Sequence, residues 1–227
     1  MERLIIFLLL VGTGFALPAQ KKIDETYTIS SKASVCLDLK YASKIKITAW
    51  NKSEVALKAS VNLHDNAANE AWQLTNSKED NQLKVTSEID KKFMKKFWSG
   101  NYYKDDNGDW HSDRPHNTTE ITYEIFVPNG INLKVNTYSG DIDLSGLTGT
   151  IYAKSLSGFV DMNWDSKQAA SITLKSISGE VYSNLDLELQ NLKKNTYVGY
   201  ALKGNFKGGG TSVHLESISN NVYLRKR

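Results

Sequence analysis

The sequence predicts an all-β protein, a β-solenoid or β-helix-like stack of strand-bend-strand repeats of roughly 20 residues. Two observations carry this prediction. Strand-favouring residues are plentiful while only three prolines are present, and a Ser-x-Ser-Gly pattern recurs through the second half of the chain. Because a sequence does not show how its strands are connected, an antiparallel β-sandwich of the same strands is the alternative.

Composition narrows the class of protein further. The chain has 227 residues, of which 40% are hydrophobic, with 28 Lys and Arg against 25 Asp and Glu. This balance excludes wholesale disorder, and the absence of a basic stripe excludes nucleic acid as a predicted partner. The single cysteine, Cys36, cannot form an intrachain disulfide, and its apolar neighbours predict that it is a small buried residue.

The first 19 residues have the pattern of a signal peptide. A short charged start is followed by the apolar run Leu4–Ala16, and the small residue Ala19 marks the expected cleavage site. This run is shorter than the roughly 20 residues that a membrane-spanning helix needs, and no later segment is longer and equally apolar. We therefore expect an exported protein, periplasmic or extracellular at the cell surface, with no transmembrane segment in the mature chain.

Residues 20–132 are predicted to form an N-terminal β-rich part. Alternating apolar residues predict strands near residues 33–40, 44–50, 54–61, 82–89 and 121–127. Good helix formers after an Asp or Asn cap predict one short helix over residues 65–74, and a polar, aromatic segment predicts a long loop over residues 91–118.

Residues 133–227 are predicted to form the β-repeat part, continuous with the preceding part as one domain. Five copies of the pattern end at positions spaced by 18, 21, 20 and 21 residues: Gly140, Gly158, Gly179, Gly199 and Asn220. Seven and five residues before these positions, and two after them, fourteen of the fifteen residues are apolar, and Lys194 is the exception. Side chains alternate along a strand, so these three columns are predicted to point inward, with a bend at each Gly.

The repeated serines look like catalytic residues only when one copy is considered alone. A nucleophile occurs once, whereas Ser139, Ser157, Ser178 and Ser219 recur at one position of the repeat. Their hydroxyls are therefore predicted to bind backbone groups at the bends. We expect the glycines to supply unusual backbone angles there.

These repeats, together with Val127-Pro-Asn-Gly130 and Ile45-x-Ile47-x-x-Trp50, resemble the bacterial putative adhesins called domain of unknown function 4097. The resemblance covers residues 30–90 and 120–227. It implies a β-strand-repeat, helix-like fold and an exported, often cell-envelope location. It implies no catalytic residues, because none is known in that family.

Two short motifs contain side chains that metal sites use. His111-x-Asp113-x-x-His116 brings metal-capable side chains together, and Asp105–Asp109 has some resemblance to a calcium loop. The first lies in a polar segment with no regular element to set ligand geometry, and the second has neither the required Gly nor the required Glu. The sequence therefore predicts no metal site, no cofactor and no enzymatic activity.

Two groups of residues are candidates for binding. The first is the column two residues before each Gly or Asn, which is large and apolar in every copy: Tyr138, Leu156, Ile177, Tyr197 and Ile218. The second is the aromatic loop around Trp98 and Trp110. An exposed apolar strip marks an interface. The competing interpretation is that other strands cover the column and that the loop folds onto the core.

The function that follows is an exported, non-enzymatic β-repeat protein, an adhesin or a cell-envelope binding or structural protein. Its expected partner is a glycan or another envelope component, and its expected state is a monomer or weak oligomer. A carbohydrate-active enzyme that uses the acidic and aromatic loop 97–116 is one alternative. A periplasmic scaffold or regulator is another.

Overall fold

The computed structural model describes residues 20–30, 32–98, 102–105, 107–112, 118–190 and 199–227; the side chains of residues 96–98, 102, 103 and 110–112 are outside this description. In these ranges the chain forms an eight-stranded sheet, a nine-stranded sheet and a separate two-stranded hairpin. Both large sheets are parallel in the centre and antiparallel towards at least one edge.

The eight-stranded sheet contains, in spatial order, β1 (Lys21–Thr28), β4 (Glu54–Leu63), β9 (Thr119–Pro128), β3 (Lys44–Trp50), β11 (Asp141–Ser145), β13 (Val160–Trp164), β19 (Val222–Lys226) and β15 (Val181–Ser183). Strands of the N-terminal part and of the repeat part therefore lie in the same sheet.

The nine-stranded sheet contains, in spatial order, β16 (Glu188–Leu189), β17 (Leu202–Phe206), β14 (Ala170–Ser176), β18 (Thr211–Ser217), β12 (Ile151–Ser155), β10 (Asn132–Thr137), β2 (Ser34–Leu39), β6 (Gln82–Ile89) and β5 (Trp72–Glu79). The hairpin pairs β7 (Tyr102–Lys104) with β8 (Trp110–Ser112). The helical elements are a 3-10 turn at Asn69–Ala71 and the helix α1 (Lys91–Trp98).

The solenoid prediction is wrong. A solenoid adds its repeats in chain order, whereas here the last repeat, β18 and β19, lies between the second repeat and the third in both sheets. The fourth repeat departs as well, because β17, which follows Gly199, pairs antiparallel with β14 in the nine-stranded sheet. The architecture is sandwich-like, with two mixed sheets rather than the purely antiparallel ones of the alternative prediction.

The two sheets enclose one apolar core. Each stacked repeat gives one strand to each sheet, and its alternate residues point into the space between them. The inward columns of the first, second and last repeats are 2% exposed or less: Leu133, Val135, Ile142, Ile151, Ala153, Val160, Val213, Leu215 and Val222. In the third repeat, Ile172 and Leu174 of the same columns are buried, whereas Val181 is half-buried because its strand, β15, lies at the sheet edge.

A further copy of the unit lies in the N-terminal part. Strands β2 and β3 pair in parallel with β10 and β11, so that Leu37 lies beside Val135 and Ile45 beside Ile142. This copy escaped the repeat pattern because its bend is one residue longer and contains Ala42 where the first repeat places Gly140.

Two predicted elements differ from the structure. The expected helix over residues 65–74 is a turn with positive φ at residues 64–66, then the 3-10 turn and the start of β5. Alanines and Glu favour helix there, but the antiparallel partner β6 takes Trp72 and the residues after it into the sheet. The expected loop over residues 91–118 contains α1 and the β7–β8 hairpin.

Cys36 also differs from its prediction. It is half-buried on the outer face of the nine-stranded sheet, because its neighbours Val35 and Leu37 take the inward positions of β2. Apolar residues on both sides of a residue in a strand therefore place it on the opposite face from theirs.

Candidate binding surface at the bends

A buried hydroxyl holds the bend in the first, second, third and last repeats. This hydroxyl belongs to the Ser or Thr three residues before the repeat Gly or Asn, and it accepts a hydrogen bond from the N–H of that Gly or Asn. Ser155 Oγ accepts from Gly158 at 2.9 Å, and Ser217 Oγ accepts from Asn220 at 3.0 Å. The same hydroxyl donates to the neighbouring bend, where Ser155 Oγ lies 2.8 Å from the Gly140 carbonyl oxygen. One side chain thus joins two successive repeats.

The predicted serine column is a different one. Ser157, Ser178 and Ser219 are exposed, and in that column only the Ser139 hydroxyl, among the residues the structure describes, binds backbone, at the Ala42 carbonyl. The bonding column is Thr137, Ser155, Ser176 and Ser217, all buried. Its signal in the sequence is the first Ser or Thr of each Ser-x-Ser-Gly motif.

The stacked glycines are required by close approach between repeats. A Cβ on Gly158 would lie 2.1 Å from the Gly140 carbonyl oxygen, and one on Gly179 would lie 2.4 Å from the Asn220 carbonyl. Neither residue has a positive φ. The expectation of unusual backbone angles is therefore wrong for these positions. The repeats need Gly because the neighbouring backbone occupies the space of a side chain.

Because the bends stack, the column two residues before each Gly or Asn forms a continuous ladder. The N–H groups of Tyr138, Leu156, Ile218 and Ile177 donate to carbonyls of the adjacent bends, Lys40, Thr137, Ser155 and Ser217, at 2.9–3.3 Å. At the N-terminal end, the ring of Tyr41 meets that of Tyr138 edge to face at 5.8 Å. We call Tyr41, Tyr138, Leu156, Ile218 and Ile177 the corner strip.

The corner strip is on the surface. Tyr138 is 44% exposed and Leu156 is 40% exposed, while Tyr41, Ile218 and Ile177 are half-buried. Neighbouring strands are about 4.8 Å apart, so five residues in successive bends span roughly 19 Å. The strip is an apolar line along one side of the sandwich, where the chain crosses from one sheet to the other.

Three of the residues singled out from the sequence lie wholly or partly outside the described residues. Tyr197 lies outside the described residues, as do the side chains of Trp98 and Trp110, whose backbones belong to α1 and β8. The strip gains Tyr41, which sequence reasoning missed because the N-terminal bend lacks the glycine that identified the others.

The acidic loop does not bring its carboxylates together in the part that the structure describes. Asp105 accepts the N–H groups of Asn107 and Asp109 at 3.0 and 2.9 Å, which closes its own turn. Asp109 is exposed, and Asp113 and His116 lie outside the described residues. Among the described residues, no three His, Cys, Asp or Glu side chains form a group that could hold a metal ion.

A charged cluster lies on the outer face of the nine-stranded sheet. The Glu216 carboxylate is 3.3 Å from both Lys154 Nζ and Lys175 Nζ, and 3.4 Å from His214 Nε2. Burial by itself raises the pKa of Glu216, but hydrogen bonds and charge attraction from the two lysines outweigh it and hold the pKa below its ordinary value of 4.5. The cluster joins β12, β18 and β14.

The fold is similar to that of a putative cell adhesion protein from Clostridium sporogenes, with a TM-score of 0.55, 10% identity, and coverage of 92% of this chain and 100% of that chain. A putative adhesin from Bacteroides fragilis aligns at a TM-score of 0.27 and 15% identity, over 92% of this chain and 99% of that one. No family model and no curated protein matches the chain. At 10% identity the first likeness shows the fold alone.

No helix in the described part of the chain combines the length and the hydropathy that crossing a membrane would require.

Proposed function

We propose that this protein is an exported, non-enzymatic, adhesin-like binding protein that holds an extended glycan of the cell envelope along the corner strip. The observation that carries the proposal is the exposed apolar ladder at the bends, led by Tyr138 and Leu156. The tyrosine rings offer an apolar face together with a polar tip, which suits a sugar chain that is apolar on its ring faces and polar at its hydroxyls.

Support for binding rather than catalysis comes from how the polar groups are used. The repeated hydroxyls of Ser155, Ser176 and Ser217 are buried and bonded to backbone. The carboxylate of Asp105 is engaged by its own loop. These hydroxyls and this carboxylate are therefore not available as the reactive groups of the enzyme alternative.

Export is the second part of the proposal. It rests on residues 1–19, which lie outside the described residues and whose pattern predicts a signal peptide. Intact mass of the protein from the producing cells tests it: a chain that begins at Gln20 and is recovered outside the cytoplasm is expected, and a full-length chain in the cytoplasm contradicts it.

Binding to a panel of envelope polysaccharides, followed by titration calorimetry with any polysaccharide that binds, tests the strip. The double variant Tyr138→Ser/Leu156→Ser removes its two most exposed members and is expected to weaken binding at least about tenfold, because most binding energy resides in a few apolar anchors. The matched control is Tyr182→Ser/Leu189→Ser, which changes a tyrosine and a leucine of nearly equal exposure, 46% and 37%, away from the bends.

Equal loss of affinity in both double variants contradicts the assignment of the strip. Failure of the unaltered protein to bind any member of the panel contradicts the glycan proposal.

A further inference from the structure

A concave surface separate from the corner strip lies on the outer face of the eight-stranded sheet, across β1, β4, β9 and β3. The volume of this open depression is about 460 Å³. We call it the lysine trough, and the outward side chains that define it are Lys22, Lys44, Lys46, Lys58, Ser60 and Thr122, with the carboxylates of Asp24 and Glu124 among them.

The strand register explains the shape of the trough. Lys22, Ser60, Thr122 and Lys44 are successive partners across the four strands, so two short hydroxyl side chains lie between two long lysines. One pleat further along each strand, Asp24, Lys58, Glu124 and Lys46 are partners in the same way. Short residues flanked by long ones make a depression with a hydroxyl floor and charged walls.

Ion pairs within the protein neutralise only part of the positive charge of the trough. Lys44 Nζ lies 3.0 Å from Asp143, and Lys46 Nζ lies 3.9 Å from Glu124. Among the described residues, neither Lys22 nor Lys58 forms an ion pair, and neither the Ser60 hydroxyl nor the Thr122 hydroxyl forms a hydrogen bond. Two ammonium groups and two hydroxyls are thus available to a ligand.

We propose that the lysine trough binds an acidic polysaccharide, with Lys22 and Lys58 on its anionic groups. Such a polymer carries negative charge together with many hydroxyl groups. The lysine ammonium groups attract the negative charge of the polymer. The carboxylates of Asp24 and Glu124 accept hydrogen bonds from its hydroxyl groups. DNA fits less well, because its sugar-phosphate backbone has no free hydroxyl group to donate to these two carboxylates. This inference does not depend on the corner strip.

Titration of the purified protein with polygalacturonate tests the proposal. The variant Lys22→Gln/Lys58→Gln is expected to weaken binding by about tenfold, because two exposed charge pairs together contribute up to about that factor. Binding by the unaltered protein is expected to weaken as salt is raised. The uncharged polymer dextran and inorganic sulfate are expected to bind much more weakly than polygalacturonate.

The matched control is Lys84→Gln/Lys203→Gln, which makes the same change in net charge with two exposed lysines of the nine-stranded sheet. Its affinity is expected to stay within about twofold of the unaltered protein. Equal losses in the two double variants would mean general charge attraction and would overturn the site. Absence of polygalacturonate binding, or equally tight binding of poly(dT), would overturn the ligand class.

Discussion

At the scale of single residues, one side-chain hydroxyl supplies the hydrogen bonds that strand pairing does not supply to the backbone at a bend. Ser155 is fully buried, and its Oγ satisfies both the Gly158 N–H and the Gly140 carbonyl. Buried backbone groups without a partner are costly, so this side chain stabilises two repeats at once.

Ser155→Ala is therefore expected to lower the free energy of unfolding by about 1–3 kcal/mol, since it leaves two buried backbone groups unpaired. Ser157→Ala, two residues away and exposed, is expected to change it by less than about 0.5 kcal/mol. Urea unfolding of both variants checks this. Equal effects would contradict the assignment of the bonding role to the column that contains Ser155.

The carboxylate of Glu216 gives the second prediction at this scale. Lys154 and Lys175 hold its pKa below the ordinary value, so the charged form stabilises the folded state above a pH of about 4.5. That stabilisation is lost as the pH falls through the lower pKa of the folded protein. The stability difference between the unaltered protein and Glu216→Gln is expected to shrink over this range.

Unfolding midpoints measured between neutral pH and acid for both proteins test this, with the exposed Glu120→Gln as control. A stability difference that stays constant down to the acid limit would contradict the role of the lysines.

At the scale of elements, the distance between repeats is set by the glycines. Gly158→Ala would place a methyl group 2.1 Å from a backbone oxygen of the next bend, and backbone cannot move aside as a side chain can. We expect a loss of at least about 2 kcal/mol in the free energy of unfolding.

Gly130→Ala is the control, because its new Cβ would meet nothing closer than the Thr148 Oγ1 at 4.0 Å. Its effect is expected to be within about 0.5 kcal/mol. If Gly158→Ala were equally mild in thermal or urea unfolding, the bends would be further apart than the structure has them.

Element positions could be predicted where one face of a strand alternates regularly, as in β10, β12 and β18. The N-terminal copy formed by β2 and β3 could not be identified from the bend, because it has Ala42 and an extra residue in place of the glycine motif. Residues 65–74 could not be predicted either. The residues there favour a helix, but pairing with β6, a long-range contact, outweighs this local preference.

At the scale of the whole molecule, the order of the repeats could not be predicted. The stacked copies present the same apolar columns and equivalent hydrogen-bonding edges, so the period predicts the shape of each unit but not its neighbour. In the structure β18 lies between β12 and β14, and this order places Ile218 between Leu156 and Ile177 in the corner strip. The members of the column could be predicted from their spacing in the sequence, but their spatial order along the strip could not.

Disulfide trapping tests this order most directly. In a Cys36→Ala background, Tyr152→Cys/His214→Cys changes direct partners on β12 and β18, and Tyr152→Cys/Thr173→Cys changes residues with β18 between them. Adjacent strands are about 4.8 Å apart and alternate ones about twice that, and a disulfide needs Cα atoms within about 7 Å. Both variants must first show the far-UV circular dichroism of the parent. Only the 152–214 pair is expected to oxidise to an intrachain disulfide. Rapid oxidation of the 152–173 pair instead would mean that the repeats stack in chain order, and it would contradict the position of β18 between β12 and β14.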